Sequence, residues 1–249
     1  VKKQTFEKMM ALSGQVYRSL EGRSTEKIFI ENEAYFIKKH SGVGWKEIFK
    51  NLFQFRLPIL SAKNEKVALT LLPKIDIPAP TLIAYGKKGW NPAKIRSYIL
   101  TRELPEHISL EHFCANWRNI PPNFLTKQRL IKEVARIARI MHGNGMNHRD
   151  FYICHFLLDI RLFHSSQIKL YLIDLHRAGI RKKVPLRWLI KDLAGLYFSS
   201  KDIGLTQRDL LRFMKEYRNK SLSDIFQKED SLWRKVEQRG NKLYGKHSK

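Results

Sequence analysis

Asn147-His148-Arg149-Asp150 and, 24 positions after its aspartate, Ile173-Asp174-Leu175-His176 are the two short segments from which the architecture of this chain can be worked out. Ahead of the first, Leu130, Ile131, Val134, Ile137, Ala138 and Met141 recur at helical spacing. Gly143-Asn144-Gly145 then supplies the left-handed backbone on which such a helix stops. Between the two segments lie Phe156-Leu157-Leu158 and the run Ile168 to Ile173, both of strand length. One carboxylate therefore sits on a loop after a long helix, the other at the C-terminal end of a short strand. From Ser109 onward the pattern is otherwise helical.

The first hundred residues have a different texture. Phe6, Met9, Met10, Leu12 and Val16 give the stretch Phe6 to Leu20 a partly helical spacing. Ile28, Ile30 and then Ala34-Tyr35-Phe36-Ile37 flank Glu31-Asn32-Glu33, the pattern of two strands joined by a tight turn. Trp45, Ile48, Phe49, Leu52 and Phe53 make one apolar helix face with Lys46 and Lys50 opposite, and Pro58 stops it. That face is expected to pack on the core of a small domain in preference to a membrane surface. A second helix runs from Ser61 to Leu72 and ends at Pro73, and Leu82 to Gly86 and Ser97 to Thr101 are further strands around a turn at Gly89 to Pro92. The whole reads as a small α+β unit, with no internal repeat.

Composition narrows the partners. Among 249 residues, 47 Lys and Arg stand against 23 Asp and Glu, a formal charge of +24, and 43% of residues are hydrophobic, enough for a full core. No apolar run approaches the roughly 20 residues that span a bilayer, and the first residues lack the apolar region of a signal peptide. Cys114 and Cys154 are the two cysteines, which suits a reducing compartment and a packing role. A cytosolic chain with an acidic partner is expected: nucleic acid, anionic lipid or a phosphorylated ligand. The excess is concentrated from Arg177 to Lys191, with six basic residues and no acid, and in the tail from Leu232.

A His-Arg-Asp triplet alone occurs by chance. Followed by a strand pair that ends in Asp, it resembles the catalytic core of the protein-kinase fold. The resemblance implies that Asp150 accepts the proton of the acceptor hydroxyl and that Asp174 holds Mg²⁺ on the phosphates of ATP. Lys38, closing Tyr35-Phe36-Ile37-Lys38, matches the strand lysine that contacts those phosphates, and Glu65 on the next helix is its natural partner, with Glu47 the alternative. Leu100-Thr101-Arg102-Glu103-Leu104 matches the hinge, where backbone groups of Thr101 and Glu103 would meet adenine. Asp192, in Lys191-Asp192-Leu193-Ala194-Gly195, matches the buried carboxylate that braces the catalytic loop. A bilobal α+β, protein-kinase-like fold follows, with a small β-rich N-lobe over residues 1–101 and a mainly helical C-lobe over 102–249.

Departures from that pattern are specific. No glycine-rich loop covers the phosphates; Gly22 stands with Arg23, Ser24 and Thr25, where backbone N–H groups and the Arg23 charge would serve instead. His155 replaces the asparagine expected five residues after Asp150. Mg²⁺ prefers oxygen ligands, so His155 suits it poorly as a ligand and Asp159 is a substitute. Zinc on His148, Cys154 and His155 is set aside because no second ligand pair accompanies them.

The longer run Met146 to Leu158 is far more distinctive. Together with Ile173-Asp174-Leu175-His176-Arg177-Ala178, Val184-Pro185, Arg187-Trp188, Lys191 to Ser200 and Ile203 to Asp209, it closely resembles the lipopolysaccharide core heptose(I) kinase family of Gram-negative bacteria. In that family a histidine at the position of His155 is the rule. The resemblance covers nearly the whole chain and implies ATP- and Mg²⁺-dependent phosphorylation of the 4-hydroxyl of the first heptose of the inner core, built on Kdo₂-lipid A. Arg149, His176, Arg177, Arg181 and Lys182 become candidates for acceptor contacts. The implied location is peripheral, on the cytoplasmic face of the inner membrane, in contact with anionic lipid and without nucleic acid. Acyl carrier protein is an implied partner, an acidic protein suited to the +24 charge and to the apolar helix from Trp45 to Phe55. The rivals are a Kdo kinase or tyrosine protein kinase of the same fold, and a non-catalytic basic protein that binds nucleic acid.

Overall fold

A computed structural model describes residues 5–20, 22–53 and 59–247. The chain forms two compact units, one of Val1–Leu71, Pro80–Leu104 and Leu175–Arg177, the other of Leu72–Ala79, Pro105–Asp174 and Ala178–Lys249.

The first unit is built on one antiparallel sheet of β1 (Gln15–Leu20), β2 (Arg23–Ile30), β3 (Glu33–Ser41), β4 (Leu82–Lys88) and β5 (Arg96–Arg102), in the order β1-β2-β3-β5-β4. Glu31 and Asn32 join β2 to β3 with φ of 51° and 63°, the mirror-type turn whose twist matches that of the flanking strands. Alternation along the strands sorts two faces. Ile28, Tyr35, Ile37, Tyr98 and Leu100 point one way and pack with Met9 of α1 (Phe6–Ala11). Thr25 opposite Lys38, and Arg23 opposite His40, share the other face.

The helical expectation for Phe6 to Leu20 holds only to Ala11; the rest is strand β1. Gly14 marks the change, since a Cβ there would meet the Lys27 carbonyl oxygen at 2.0 Å and only glycine lets the chain close onto β2. Helix α2 (Gly44–Phe53) forms as expected, but its packing differs. Ile48 is buried, whereas Trp45 stacks on Phe49 and both are exposed with Phe53. The stop assigned to Pro58, Phe55 and the side chain of Glu47 lie outside the described residues. Helix α3 (Lys63–Leu71) completes this unit and packs against the 3-10 turn Leu175–Arg177.

The second unit is mainly helical: α4 (Leu110–Phe113), α5 (Phe124–Gly143), α6 (Ile160–His164), α7 (Leu186–Ser199), α8 (Gln207–Arg218) and α9 (Leu222–His247). Its short strands are β6 (His107–Ser109), β7 (Met146–Asn147), β8 (Phe156–Asp159), β9 (Leu170–Leu172) and β10 (Gly179–Ile180), paired as β6-β8-β9 and β7-β10. The stripe on α5 is core: Leu130, Ile131, Val134, Ile137, Ala138 and Met141 are all buried. Beyond α5, Gly145 takes φ +74°, and a Cβ there would meet the Arg181 carbonyl oxygen at 1.8 Å, so the chain enters β7 only through glycine.

Candidate active site

In the first unit, Lys38 Nζ lies 2.6 Å from Glu65 Oε1. The strand fixes Lys38 between Thr25 and Ile99, and α3 carries Glu65, whose side chain is only 5% exposed. A carboxylate so buried is stable as an anion only beside a cation. The other carboxylate oxygen, Oε2, is buried and has no hydrogen-bond partner among the described residues. His40 is two residues along the same strand face. Burial, with the Arg23, His176 and Lys38 charges adding to it, lowers its pKa to about 4, so it stays neutral within a cationic cluster. Arg23 is anchored by its guanidinium to the Ile59 carbonyl at 2.6 Å.

The residues expected at the hinge are engaged within this unit. The amides of Arg102 and Glu103 donate to the Thr81 and Ala34 carbonyls at 3.0 Å each, and Glu103 Oε1 pairs with Lys27 Nζ at 2.6 Å. Thr101 sits on β5 between Phe36 and Leu82. His176 and Arg177 belong to the turn against α3.

In the second unit the His-Arg-Asp segment is a loop held from below. Asp192 of α7, fully buried, accepts the backbone N–H of His148 on Oδ2 at 2.6 Å and that of Arg149 on Oδ1 at 2.7 Å. Its Oδ2 also faces His142 Nε2 at 3.3 Å, and His142 Nδ1 meets the Tyr217 hydroxyl at 2.9 Å, which ties α5 and α8 to the same carboxylate. Burial raises the Tyr217 pKa and keeps that hydroxyl a donor. Arg149 takes φ +74°, a left-handed conformation that costs an arginine about 1–2 kcal/mol and persists because its amide is fixed. His148 is fully buried; its Nε2–H donates to the Ile173 carbonyl at 2.9 Å, and burial holds its pKa down.

Asp150 and Asp174 are both partly exposed. Asp174, at φ +60°, has Oδ2 3.5 Å from His155 Nε2. His155 Nδ1 contacts the Asp150 carbonyl at 2.7 Å; because a carbonyl only accepts, Nδ1 carries a proton, and Nε2 is the nitrogen turned to the side of Asp174. The ring stacks on that of His148 with centroids 5.6 Å apart, and a neutral His148 spares the pair a charge repulsion. Asp159 is used differently: it caps α6 and accepts the Tyr171 hydroxyl at 3.1 Å, so its expected service as a metal ligand is displaced by a structural one. Among the described residues no group of three or more His, Cys, Asp or Glu is placed to hold a metal ion. Burial pushes the Cys114 thiol up to about 12 and the Cys154 thiol up to about 11, so neither is a nucleophile at neutral pH.

Two residues of α7 not named among the candidate contacts lie beside the His-Arg-Asp loop. Lys191 Nζ lies 3.9 Å from Asp150 Oδ1, and Trp188 gathers three cations within cation–π range: Arg149 at 4.5 Å, Arg187 at 5.1 Å and Lys191 at 5.7 Å from its ring. The helical spacing of Arg187, Trp188 and Lys191 was the available signal. Arg181 reaches back to Asn147 Oδ1 at 2.7 Å, and Lys182 is exposed.

The chain matches known proteins along nearly its whole length. The model of the lipopolysaccharide kinase (Kdo/WaaP) family matches residues 7–217. The chain is 45% identical over 242 residues to the lipopolysaccharide core heptose(I) kinase WaaP of Escherichia coli, covering 97% of this chain and 91% of that protein. It is 45% identical over 240 residues to the protein of the same name from Pseudomonas aeruginosa, covering 96% and 90%. A solved structure described as WaaP in complex with acyl carrier protein superposes with a TM-score of 0.84 at 40% identity, covering 98% of this chain and 94% of that one.

Proposed function

The chain belongs to the lipopolysaccharide kinase (Kdo/WaaP) family, and from that membership we propose that it transfers the γ-phosphoryl group of ATP to the 4-hydroxyl of the first heptose of the lipopolysaccharide inner core. It is a kinase of the lipopolysaccharide core, a heptose(I) kinase like the relatives it matches along almost its whole length. Those relatives favour heptose over Kdo or tyrosine as the acceptor.

The observation that carries the reading is Asp150 on a loop pinned by Asp192. A carboxylate there orients the sugar hydroxyl and takes its proton as the oxygen attacks phosphorus, a contribution of about 10²–10⁴-fold in rate. Lys38, held by Glu65, neutralises phosphate charge. The hard oxygens of Asp174 fit Mg²⁺, which when bound offsets charge on the phosphates. His155, with its Nδ1–H committed to a carbonyl, orients Asp174 or adds a nitrogen ligand.

Two partners follow. Acyl carrier protein is supported by the solved relative, by the charge of +24 and by the exposed aromatics of α2. A cavity of about 310 Å³ in the second unit, lined by apolar side chains such as Leu130, Val134, Leu196 and Trp233, has the chemistry to accept a carried acyl chain. Among the described residues no helix is long and apolar enough to cross a membrane, and peripheral attachment to the anionic cytoplasmic leaflet through basic residues accounts for the charge.

The test is transfer of ³²P from labelled ATP to lipopolysaccharide with and without heptose. Label on the heptose-containing acceptor alone, lost in Asp150→Ala, supports the reading; equal labelling of both acceptors rejects it.

A further inference from the structure

Among the described residues Trp90 is the most exposed large hydrophobic side chain, at 91%. Its exposure is built in. Trp90 stands in the turn between β4 and β5, where Gly89 takes φ +92° and Asn91 caps the 3-10 turn Pro92–Lys94 by accepting the Ala93 N–H at 3.0 Å. A tryptophan left in water forgoes a large hydrophobic gain unless something outside the protein covers it. The surroundings are basic: residues 86–96 include Lys87, Lys88, Lys94 and Arg96 and no acid. Lys88 and Arg96 share Glu7, at 2.9 Å each. Lys87 and Lys94 are exposed, and among the described residues neither has a carboxylate within ion-pair distance. Lys87 and Lys88 are successive strand residues, so they leave the end of β4 on opposite faces of the hairpin.

Helix α2 packs against Pro92–Lys94, and a Cβ at Gly42, just before α2, would meet the Ala93 carbonyl oxygen at 2.7 Å. Ser41, Lys88 and Arg96 are paired in register, so α2 and the turn of Trp90 belong to the same end of the sheet. Trp45, Phe49 and Phe53, spaced four apart along α2, add three exposed aromatics there.

Resting on the reading that the chain attaches peripherally to the anionic leaflet, we propose that this end of the first unit is the surface that docks on lipid, with Trp90 in the interface and Lys87 and Lys94 on anionic headgroups. Tryptophan suits that depth because its ring is apolar and its N–H polar, and each lysine adds attraction to anionic lipid. An acidic carrier protein is the rival occupant. An indole standing clear at the tip of a hairpin offers little area to a folded partner and its whole ring to a lipid interface. The cavity suited to an acyl chain is lined by residues of the second unit alone.

The experiment is cosedimentation of the full-length protein with vesicles of phosphatidylethanolamine and phosphatidylglycerol, and with vesicles of phosphatidylcholine alone. Wild type is expected to bind the anionic vesicles far more tightly. Trp90→Ala should weaken that binding about tenfold at an unchanged melting temperature, with Trp90→Phe recovering part of the loss. Lys87→Gln and Lys94→Gln should each weaken it about fivefold. Capture of purified acyl carrier protein, and labelling of detergent-dispersed lipopolysaccharide, should match wild type in every variant. If wild type binds neither vesicle, the attachment reading falls and the surface falls with it. If wild type binds anionic vesicles and Trp90→Ala binds them equally well, or if Trp90→Ala loses carrier-protein capture in step with vesicle binding, the surface is refuted while peripheral attachment stands.

Discussion

His155 holds its Nε2 3.5 Å from Oδ2 of Asp174. Its opposite nitrogen is protonated and bound to the Asp150 carbonyl, so one imidazole links the backbone of the proposed proton acceptor, Asp150, to the side chain of the proposed metal ligand, Asp174. His155→Ala should lower kcat about 10–100-fold and raise the Mg²⁺ concentration needed for half-maximal rate. Titration of activity with Mg²⁺ in wild type and variant checks this; an unchanged requirement removes His155 from metal handling.

Lys38 and Glu65 are expected to separate stability from activity. Lys38→Met strands a carboxylate that is 5% exposed, which should cost about 3–5 kcal/mol along with phosphate binding. Adding Glu65→Gln removes the stranded charge, so the double variant should regain most of the lost stability and none of the activity. Urea unfolding and ATP KM, measured on the same preparations, decide between this and a purely structural pair.

Asp192 makes two backbone contacts and faces His142 from a fully buried position. Asp192→Asn exchanges an acceptor for a donor at close range and should destabilise the protein by roughly 1–3 kcal/mol, with a larger loss for Asp192→Ala. Both should reduce kcat more than ATP KM, because the loop that carries Asp150 loses its brace.

His40 predicts the acid limb of stability. Its pKa falls from 6.5 in the unfolded chain to about 4 in the folded one, so below pH 6.5 the unfolded state binds the extra proton. The associated stability is fully present above 6.5 and is lost as pH falls through 4, up to about 3 kcal/mol in all. Buried His148 acts in the same direction. Melting temperatures of wild type and His40→Gln, measured from pH 7.5 to 4.5, should converge on acidification; parallel curves would count against it.

The sequence carried the hairpin of β2 and β3, the long stripe of α5 and the acidic residues at the ends of short elements, because period, turn chemistry and helix stops are local signals. Strand β1 escaped because its apolar residues have helical spacing and its pairing with β2 depends on a close approach at Gly14 that only the fold reveals. The exposure of Trp45, Phe49 and Phe53 escaped for a related reason: amphipathicity says which face is apolar, and tertiary packing says whether it is covered. Asp192 was legible from its motif, whereas the links from Trp188 to Arg149 and from Lys191 to Asp150 join residues about 40 positions apart and carry no local mark.

The two amide bonds to Asp192 also bear on how the loop opens. Loop amides usually exchange with solvent deuterium through small local fluctuations, and helix interiors only through larger unfolding. Here the N–H groups of His148 and Arg149 end on a fully buried carboxylate of α7, so freeing them requires α7 to part from the loop. Their exchange should be as slow as that of Leu193 and Ala194 within the helix. Substrates then meet a preset loop, and the free energy of ordering it is supplied once, during folding, and not at each turnover.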